Sequence, residues 1–483
     1  MIDATVVGSG PNGLAAAVTL ARAGLKVRLL ERNDTIGGGI RSAPLTLPGF
    51  VHDICSAVHP AALASPFFRA WGLTERVPFV VPKASYAHPL DGGTAAIAYR
   101  DLDRTVDGLG RDGRAWRGLL GPLVRRIDEV TDFTGSTLVR VPPHPVTAVR
   151  YGLRALEQGG AWGAARFRDD AAPALLFGVA AHANIPLPSL AGAGAGLLLA
   201  AHGHAAGWGL PTGGTQRIAD ALADDLRAHG GDIETGADIG SPADLDPSTV
   251  TLLDTSAGFL DRFGGDRLPA GYRRALRGLR HGAGVAKVDL ALSAPVPWAD
   301  PAVASSPTVH LGGTRAEIIA SERAVARGTV SDAPYVLVVQ PTIADPSRAP
   351  AGRHVLWAYI HVPNGSTIDP TELVLRQVER FAPGFRDTIL AVSARTAPEV
   401  ARDNPNDVGG DISGGAATLR QLVRRPVLSP QPWRTPIEGL YLCSSATTPG
   451  PSVHGMNGWY AARLALHDRF GIHTTLDDLA VRE

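Results

Sequence analysis

A glycine-rich turn stands close to the N-terminus, between an apolar strand and an alanine-rich helix. It contains Gly8, Gly10, Pro11, Asn12 and Gly13. Gly8 permits a tight turn, Gly10 lets the backbone approach a pyrophosphate, and Gly13 lets the helix pack closely on the strand. Because the free N–H groups of the first helical turn face this point, the spacing predicts a dinucleotide phosphate site.

A carboxylate ends the second predicted strand, which covers residues 25–30. Glu31 follows Gly13 by 18 positions, and Arg32 comes directly after it. A carboxylate at this place can accept both hydrogen bonds from an adenosine ribose, and it would repel a 2′-phosphate. We therefore count Glu31 and Arg32 among the cofactor-binding residues.

A second glycine turn and a cation follow at once, with Gly37, Gly38 and Arg41 in the run Ile-Gly-Gly-Gly-Ile-Arg. An NAD domain usually continues here with a plain strand and helix, whereas a longer, buried flavin dinucleotide needs backbone and an arginine to close over its pyrophosphate. With this combination the chain resembles the flavoprotein amine oxidase and phytoene desaturase superfamily, and the resemblance implies FAD. Neither Cys55 nor Cys443 lies in a recognisable attachment motif, so we expect the FAD to be bound non-covalently.

The resemblance extends to two later segments. A Pro-x-Gly-Gly turn at 211–214 opens a helix, as it does in the family, where the residue matching Ile239 meets the adenine edge through its backbone. Near the C-terminus, a strand, a turn of small residues and a helix are similar to the end of phytoene-type desaturases. Such a junction suits a ribityl-phosphate and the negative charge at N1 and O2 of a reduced flavin. The residues assigned to it are Ser445, Ala446, Gly455 and Met456.

The chain also departs from the desaturase pattern at this junction. Ser444 and Ser445 replace the usual Gly-Ala, and His454 stands where many members have proline. The sequence is most similar to the phytoene-dehydrogenase-related proteins. FAD binding is still expected, but the departures do not favour a carotenoid substrate.

Three side chains are candidate catalytic residues. Lys287 interrupts an apolar strand at 284–292, and burying an ammonium is costly without a partner. The resemblance to amine oxidases implies that this lysine holds a water near the flavin N5; the alternative is a strand-end lysine that reaches solvent. His59 could line a substrate path or be structural, and His454 could contact the pyrimidine edge of the flavin or face the substrate.

Bulk composition excludes several classes of function. The 483 residues carry 46 basic and 46 acidic side chains, a balance that argues against nucleic-acid binding. Two cysteines form no metal or dithiol motif, so we expect no metal and a reducing, cytoplasmic location. No signal peptide is expected, because Met1 to Asp3 lead directly into the first strand. The apolar run 190–201 is too short to span a bilayer. It predicts a buried helix or channel wall, and the alternative is a surface in peripheral contact with a membrane. A homodimer is a further option for the whole protein.

The predicted fold is α/β, with a Rossmann-like FAD-binding domain of the glutathione-reductase type interleaved with an α+β substrate-binding or lid domain. The FAD-binding domain is expected to be discontinuous and to comprise residues 1–75, 205–265 and 405–475. The substrate-binding domain would comprise residues 76–204 and 266–404, followed by a C-terminal tail at 476–483. Two interleaved domains suit a chain longer than one ordinary core.

These observations predict an FAD-dependent oxidoreductase that takes hydride from an apolar or amphipathic small molecule to give a C=C or C=N bond. No second dinucleotide motif is visible, so oxygen or a quinone is the expected electron acceptor. The main alternative is an amine or amino-acid oxidase that releases peroxide, with Trp208, Trp459 and Tyr460 as candidate aromatic side chains. An alternative of another class is a non-catalytic prenyl or lipid carrier, because Rab GDP-dissociation inhibitors resemble this fold.

Overall fold

The computed structural model describes residues 2–480, in which two large sheets and two short two-stranded sheets are connected by helices. The strands are β1 (Ile2–Val7), β2 (Val27–Leu30), β3 (Ser42–Ala43), β4 (His52–Asp53), β5 (Phe79–Val80), β6 (Ala84–Leu90), β7 (Thr94–Tyr99), β8 (Leu210–Pro211), β9 (Asp232–Glu234), β10 (Ser248–Leu253), β11 (Gly284–Leu292), β12 (Thr308–Leu311), β13 (Val336–Val339), β14 (His354–Val362), β15 (Ile389–Arg395) and β16 (Leu440–Leu442).

The helices vary from one turn to four. They are α1 (Pro11–Arg22), α2 (Pro60–Ala64), α3 (Pro66–Trp71), α4 (Leu73–Arg76), α5 (Leu102–Gly108), α6 (Gly113–Val124), α7 (Ile127–Thr134), α8 (Pro145–Gly159), α9 (Ala171–Ala180), α10 (Leu190–Ala205), α11 (Gln216–Ala228), α12 (Ala257–Gly264), α13 (Ala270–Arg277), α14 (Arg315–Ala326), α15 (Thr371–Phe381), α16 (Ala397–Asp403), α17 (Leu419–Val423) and α18 (Met456–Phe470).

The first sheet is fully parallel and has the strand order β16-β10-β1-β2-β9. Helices α1 and α18 pack tightly on each other, since a Cβ added at Gly458 would lie 2.0 Å from the carbonyl oxygen of Asn12. The alanine-rich sequence of α1 makes this approach possible, because small side chains let helices and strands come close. Parallel strands end at one edge, so the residues that follow β1, β2, β10 and β16 meet there.

The second sheet is mixed and has the order β15-β11-β14-β13-β12-β6-β7. Its longest pairing joins β11 and β14, antiparallel, from Gly284 opposite Val362 to Leu292 opposite His354. All nine residues of β11 are buried, because neighbouring elements cover both faces of this strand. The sheet forms a wall across from the carboxyl-end edge of the first sheet.

The apolar run 190–201 lies within α10, which is buried by α8 and α9. A Cβ at Gly196 would lie 2.9 Å from the Cβ of Ala180, and the hydroxyl of Tyr151 on α8 donates to the carbonyl oxygen of Gly194 at 2.7 Å. The expectation of a buried helix for this run is confirmed. Within residues 2–480, no helix combines the length and the apolar character needed to cross a bilayer.

Some local predictions were too simple. Residues 113–134 form two helices, α6 and α7, and β9 ends at Glu234, so that Ile239 lies on a loop. β10 was not predicted at all. The tail expected at 476–483 is attached at its start, where the guanidinium of Arg22 donates to the carbonyl oxygen of Leu479 at 3.1 Å; residues 481–483 lie outside the described residues.

Candidate cofactor and substrate site

The first glycine turn has the close contacts that its spacing predicts. Gly8 has a φ of +97°, which favours glycine over residues with a side chain. A Cβ at Gly13 would lie 2.1 Å from the carbonyl oxygen of Gly8, and one at Gly10 would lie 2.4 Å from Oδ2 of Asp254. Helix α1 therefore starts directly against the end of β1, with its first turn facing the carboxyl-end edge of the sheet.

Asp254, the residue after β10, also occupies this turn and is not a residue that the sequence predicted. Its Oδ2 accepts a hydrogen bond from the backbone N–H of Gly13 at 2.9 Å. Burial raises the pKa of Asp254 to about 7, the Gly13 N–H opposes that rise, and the charge of Glu31 adds to it. A carboxyl group thus shares the N–H groups expected to face a phosphate, and its charge changes close to neutral pH.

Glu31 is held by the backbone of the same edge. Its Oε2 accepts from the N–H and hydroxyl of Ser9 at 2.9 and 2.5 Å, and its Oε1 accepts from the N–H of Asn33 at 2.8 Å. A carboxylate offers about four acceptor positions, so about one is left for a ribose hydroxyl in this arrangement. Arg32 lies on the outer side, with its Nε 3.8 Å from the exposed Asp238.

The second glycine turn packs on the first. Gly37 and Gly38 have φ values of +117° and +51°, and the N–H of Gly37 donates to the carbonyl oxygen of Ser9 at 3.1 Å. A Cβ at Gly38 would lie 3.0 Å from the Cα of Gly10. The two turns therefore form one continuous backbone surface, as their order in the sequence predicts.

Arg41 does not border the large cavity of about 620 Å³ that lies at this edge of the sheet. Its Nε donates to the carbonyl oxygen of Gly38 at 3.0 Å, and its Nη2 lies 3.3 Å from the carbonyl oxygen and 3.5 Å from the carboxylate of Asp403. Contact between Arg41 and a pyrophosphate stays a prediction, and it requires the guanidinium to exchange Asp403 for the phosphate.

The C-terminal junction brings β16 and α18 to the same edge. Ser444 anchors it, since its hydroxyl donates to the carbonyl oxygen of Thr255 at 2.6 Å. Ser445 borders the large cavity, whereas Ala446, Gly455 and Met456 are buried and do not border it. Contact of those three residues with a flavin stays a prediction. It would have to involve their backbone atoms.

His454 serves the turn before α18. Its Nδ1 accepts from the N–H of Met456 at 3.0 Å, and its Nε2 lies 3.3 Å from the carbonyl oxygen of Gly450. Since a carbonyl can only accept, Nε2 carries the proton. Burial lowers the pKa of His454 to about 4, so the ring is neutral at pH 7, with both nitrogens occupied by backbone groups.

A single cavity of about 620 Å³ joins these junctions to the second sheet. Of the residues predicted for the site, those that border it are Gly8, Gly10, Pro11, Asn12, Glu31, Arg32, Gly38, His59, Ile239 and Ser445. At the far end the wall is largely apolar and is formed by Leu199, Trp208, Leu337, Val339, Trp357 and Tyr359. The volume lies within the range of small-molecule and cofactor sites, and so does the combination of an apolar wall with a few polar groups.

His59 borders this cavity at the start of α2. Its Nε2 lies 2.6 Å from the hydroxyl of Thr215, and its buried Nδ1 has no hydrogen-bond partner in the described chain. Burial lowers the pKa of His59 to about 4, so the ring is neutral. A substrate-lining role for His59 stays a prediction, with Nδ1 as the free atom.

Lys287 does not reach solvent, so that alternative is wrong. Its Nζ donates to both carboxylate oxygens of Asp289 at 2.7 and 2.6 Å and to the carbonyl oxygen of Asp53 at 2.8 Å. Burial lowers the pKa of Lys287, which the negative charge of Asp289 opposes, and burial raises the pKa of Asp289. We assign the pair as a mutually stabilised ion pair, because each partner removes the cost of burying the other.

Beside Lys287 lies a second, small cavity of about 30 Å³, which is enough for one water. Arg41, Lys287, Asp403 and Arg395 border this cavity alone. Gly38, Gly39, Cys55, Trp357, Tyr359, Asn404, Asp407 and Ile412 border both cavities. The small cavity is therefore adjacent to the large one at the second glycine turn.

These features define the class of protein: a dinucleotide-binding α/β protein whose cofactor groove is continuous with a cavity that has a largely apolar far wall. The model of the family described as flavin containing amine oxidoreductase matches residues 12–465. The chain belongs to this family, so FAD is its cofactor and it is an FAD-dependent oxidoreductase. The fold class expected from the sequence is confirmed.

Individual relatives agree with this assignment. The chain is 26% identical to pyridine nucleotide-disulfide oxidoreductase domain-containing protein 2 of Mus musculus, over 96% of this chain and 93% of that protein. It is 45% identical to 4,4′-diapolycopene oxygenase of a Methylomonas species, but over only 10% of each chain. Among solved structures, cyclohexylamine oxidase of Brevibacterium oxydans has the same fold, with 15% identity, a TM-score of 0.59 and coverage of 96% of this chain and 98% of that one.

The residues present fit FAD. The groove offers backbone N–H groups at the start of α1, a surface at Gly8, Gly10 and Gly38 that carries no side chains, and the strand-end carboxylate of Glu31. Domain boundaries and the individual cofactor contacts stay predictions. The strands of the parallel sheet fall within residues 1–75, 205–265 and 405–475, and β11 to β15 fall within residues 266–404.

Proposed function

We propose that this FAD-dependent oxidoreductase dehydrogenates an apolar or amphipathic small molecule. The observation that supports this most is the continuity of the large cavity, which runs from the glycine turns to a wall of Leu199, Trp208, Leu337 and Val339. A substrate against that wall would be shielded from water, and its reacting C–H bond could be held in one orientation. FAD, when bound, supplies a two-electron acceptor.

Different residues of the chain would bind the cofactor, orient the substrate and position a water. The glycine turns and Glu31 would hold the dinucleotide, and the apolar wall would orient the substrate. Lys287 cannot act as a general base in its present state, because its ammonium donates three hydrogen bonds. We propose that Lys287 is a positioning residue: it borders the small cavity, and it would donate to one water there in exchange for one of its two hydrogen bonds to Asp289.

Amine oxidation is the second candidate. Trp208, Trp357 and Tyr359 border the large cavity, and aromatic side chains near a flavin would suit an amine substrate. Trp459 and Tyr460 do not border it: Trp459 is buried in the core, and Tyr460 packs on Trp433 with the ring centroids 4.5 Å apart.

The deciding experiment is anaerobic reduction of the bound flavin, followed by absorbance. Panels of isoprenoids and lipids are compared with panels of amines, and each bleached sample is then exposed to oxygen or to a quinone. Bleaching by apolar substrates supports dehydrogenation, whereas bleaching by amines alone, with peroxide on reoxidation, supports the second candidate. Rapid bleaching by NADH alone would contradict oxygen or quinone as the physiological acceptor. A purified protein without flavin would support the lipid-carrier alternative.

We further propose that α8 contacts an anionic lipid surface. Its outer residues Val146, Val149, Leu153 and Leu156 are between 58% and 65% exposed, and we call these four the α8 face. Arg150 follows one side of this face and makes no ion pair within residues 2–480. The guanidinium of Arg154 instead donates to backbone carbonyl oxygens of α6 and α8. An exposed apolar face beside an unpaired cation is typical of a helix that lies at a membrane surface. Since α8 packs on α10, which supplies Leu199 to the cavity, this contact would bring apolar substrates close to the site.

Vesicle sedimentation tests this contact. Wild type should sediment with phosphatidylglycerol-containing vesicles and less with pure phosphatidylcholine, and the double variant Leu153→Glu/Leu156→Glu should stay in the supernatant. Leu428→Glu, at a residue 65% exposed elsewhere, is the matched control and should bind as wild type does. If wild type does not bind vesicles but forms a dimer that the double variant disrupts, the partner of the α8 face is a second copy of the chain and not a lipid surface.

A further inference from the structure

One polar side chain interrupts the apolar end of the large cavity. His182 lies in the turn after α9 and borders the cavity near Trp208, with the two ring centroids 5.3 Å apart. Its Nε2 lies 2.8 Å from Nε2 of His310 on β12. Its Nδ1 has no hydrogen-bond partner in the described part of the chain. His182 therefore has one nitrogen fixed by the protein and one left for a ligand.

The proton between the two rings can be assigned from the surroundings of His310. Burial lowers the pKa of His182 to about 3 and that of His310 well below its usual range, so both rings are neutral. Two neutral imidazoles in hydrogen-bond contact share one proton, and each keeps one donor and one acceptor. The Nδ1 atom of His310 is buried without a partner. An unpaired N–H is tolerated less well than an unpaired acceptor, so His310 has its proton on Nε2.

The neighbours of His310 agree with this tautomer. The hydroxyl of Tyr86, whose ring centroid is 5.4 Å from that of His310, is also buried without a partner and can donate. His88 donates from Nε2 to the carbonyl oxygen of Gly313 at 2.7 Å, so its unpaired Nδ1 is an acceptor too. Because a phenol hydroxyl can donate, an unprotonated Nδ1 on His310 is compatible with the neighbouring Tyr86.

From this arrangement we infer that His182 presents an Nδ1–H donor to the substrate and selects molecules that carry a hydrogen-bond acceptor, such as a carbonyl or ether oxygen. His310 is the positioning residue that fixes this tautomer. The inference rests on the proposed function, because it takes the apolar end of the cavity as the substrate site. It narrows the substrate class from any apolar molecule to an apolar molecule with an oxygen acceptor.

The same donor disfavours a cation at this point. An alkylammonium has only N–H donors, so it cannot accept from His182, and the neutral imidazole pair offers it no countercharge. The aromatic wall alone would have to compensate for its lost hydration. The geometry at His182 therefore favours an oxygen-bearing substrate over a protonated amine.

Isothermal titration calorimetry of the FAD-loaded protein with three matched probes tests the inference. Acetophenone has a carbonyl acceptor, α-methylstyrene has a CH₂ group in its place, and 1-phenylethylammonium has donors only. Wild type should bind acetophenone about two- to tenfold more tightly than α-methylstyrene, the effect of one net hydrogen bond, and should bind the ammonium most weakly. His182→Leu should reduce the preference for the ketone to about onefold.

Two further variants distinguish the effect of the N–H donor from the effect of side-chain shape on ligand preference. His182→Asn keeps a side-chain N–H close to the ring and should retain part of the preference, whereas Leu199→Met changes the same wall without changing polarity and should retain all of it. Equal binding of ketone and alkene by wild type, no measurable binding of acetophenone, or an unchanged preference in His182→Leu would overturn the inference. Flavin absorbance of the same samples reports the proposed function separately, because loss of FAD or failure of all substrates to bleach it concerns that function and not the tautomer of His182.

Discussion

Asp254 should make FAD affinity depend on pH. Its carboxyl group occupies the N–H of Gly13, where a phosphate is expected, and its pKa is raised to about 7. The diphosphate of FAD is fully ionised at neutral pH, so it should bind best when Asp254 is protonated. If only that form binds, the apparent Kd is multiplied by 1 + 10^(pH − 7), which is about 1.1 at pH 6 and about 11 at pH 8. Affinity should therefore fall about tenfold over this interval.

The assay is titration of apoprotein with FAD, followed by flavin fluorescence at pH 6, 7 and 8. Asp254→Asn should bind FAD with a nearly constant Kd, close to that of wild type at pH 6, because the amide can still accept from Gly13 and carries no charge. Asp246→Asn is the matched control, since Asp246 precedes the same strand, is exposed and pairs with Arg28; it should keep the wild-type pH dependence. A wild-type Kd that is flat or decreases with rising pH, or a persistent dependence in Asp254→Asn, would refute the reasoning.

Two further predictions concern the glycine turn and the buried ion pair. Gly13→Ala places a Cβ about 2.1 Å from the carbonyl oxygen of Gly8, so α1 must move and FAD affinity should fall by at least tenfold in the same titration; Gly271→Ala, whose Cβ would meet nothing within 4 Å, should bind FAD normally. Lys287→Met leaves Asp289 buried without its partner, so urea denaturation should show a loss of about 3–5 kcal/mol in the free energy of unfolding, and stopped-flow absorbance should show slower flavin reoxidation by oxygen. Unchanged reoxidation would remove Lys287 from the mechanism.

Local sequence predicted the glycine turns well because their constraints are local. Gly8 needs a positive φ and Gly13 needs space against its own strand end, and both requirements act within six residues. The strand 284–292 was predicted with the observed bounds for the same reason. The partner of Lys287 is also predictable from the sequence, since residues two apart on a strand share a face and Asp289 follows at that spacing.

Contacts between distant segments could not be predicted in this way. Asp254 meets Gly13 because β10 pairs with β1 in the sheet, and no spacing along the chain encodes that order. His182 and His310 are 128 residues apart and meet only because the turn after α9 lies on the second sheet. The position of Arg41 beside Asp403 is a third case, since α16 supplies the carboxylate from the other end of the chain.

The central expectation is that the turn between β1 and α1, the second glycine turn, and the junction of β16 with α18 enclose a single FAD. The most direct measurement is the amount of FAD released by denaturing the purified protein, counted against the chain. We expect one equivalent of FAD per chain, released without covalent attachment. Protein that carries no FAD and takes up none when it is supplied, or that binds two equivalents, would contradict it.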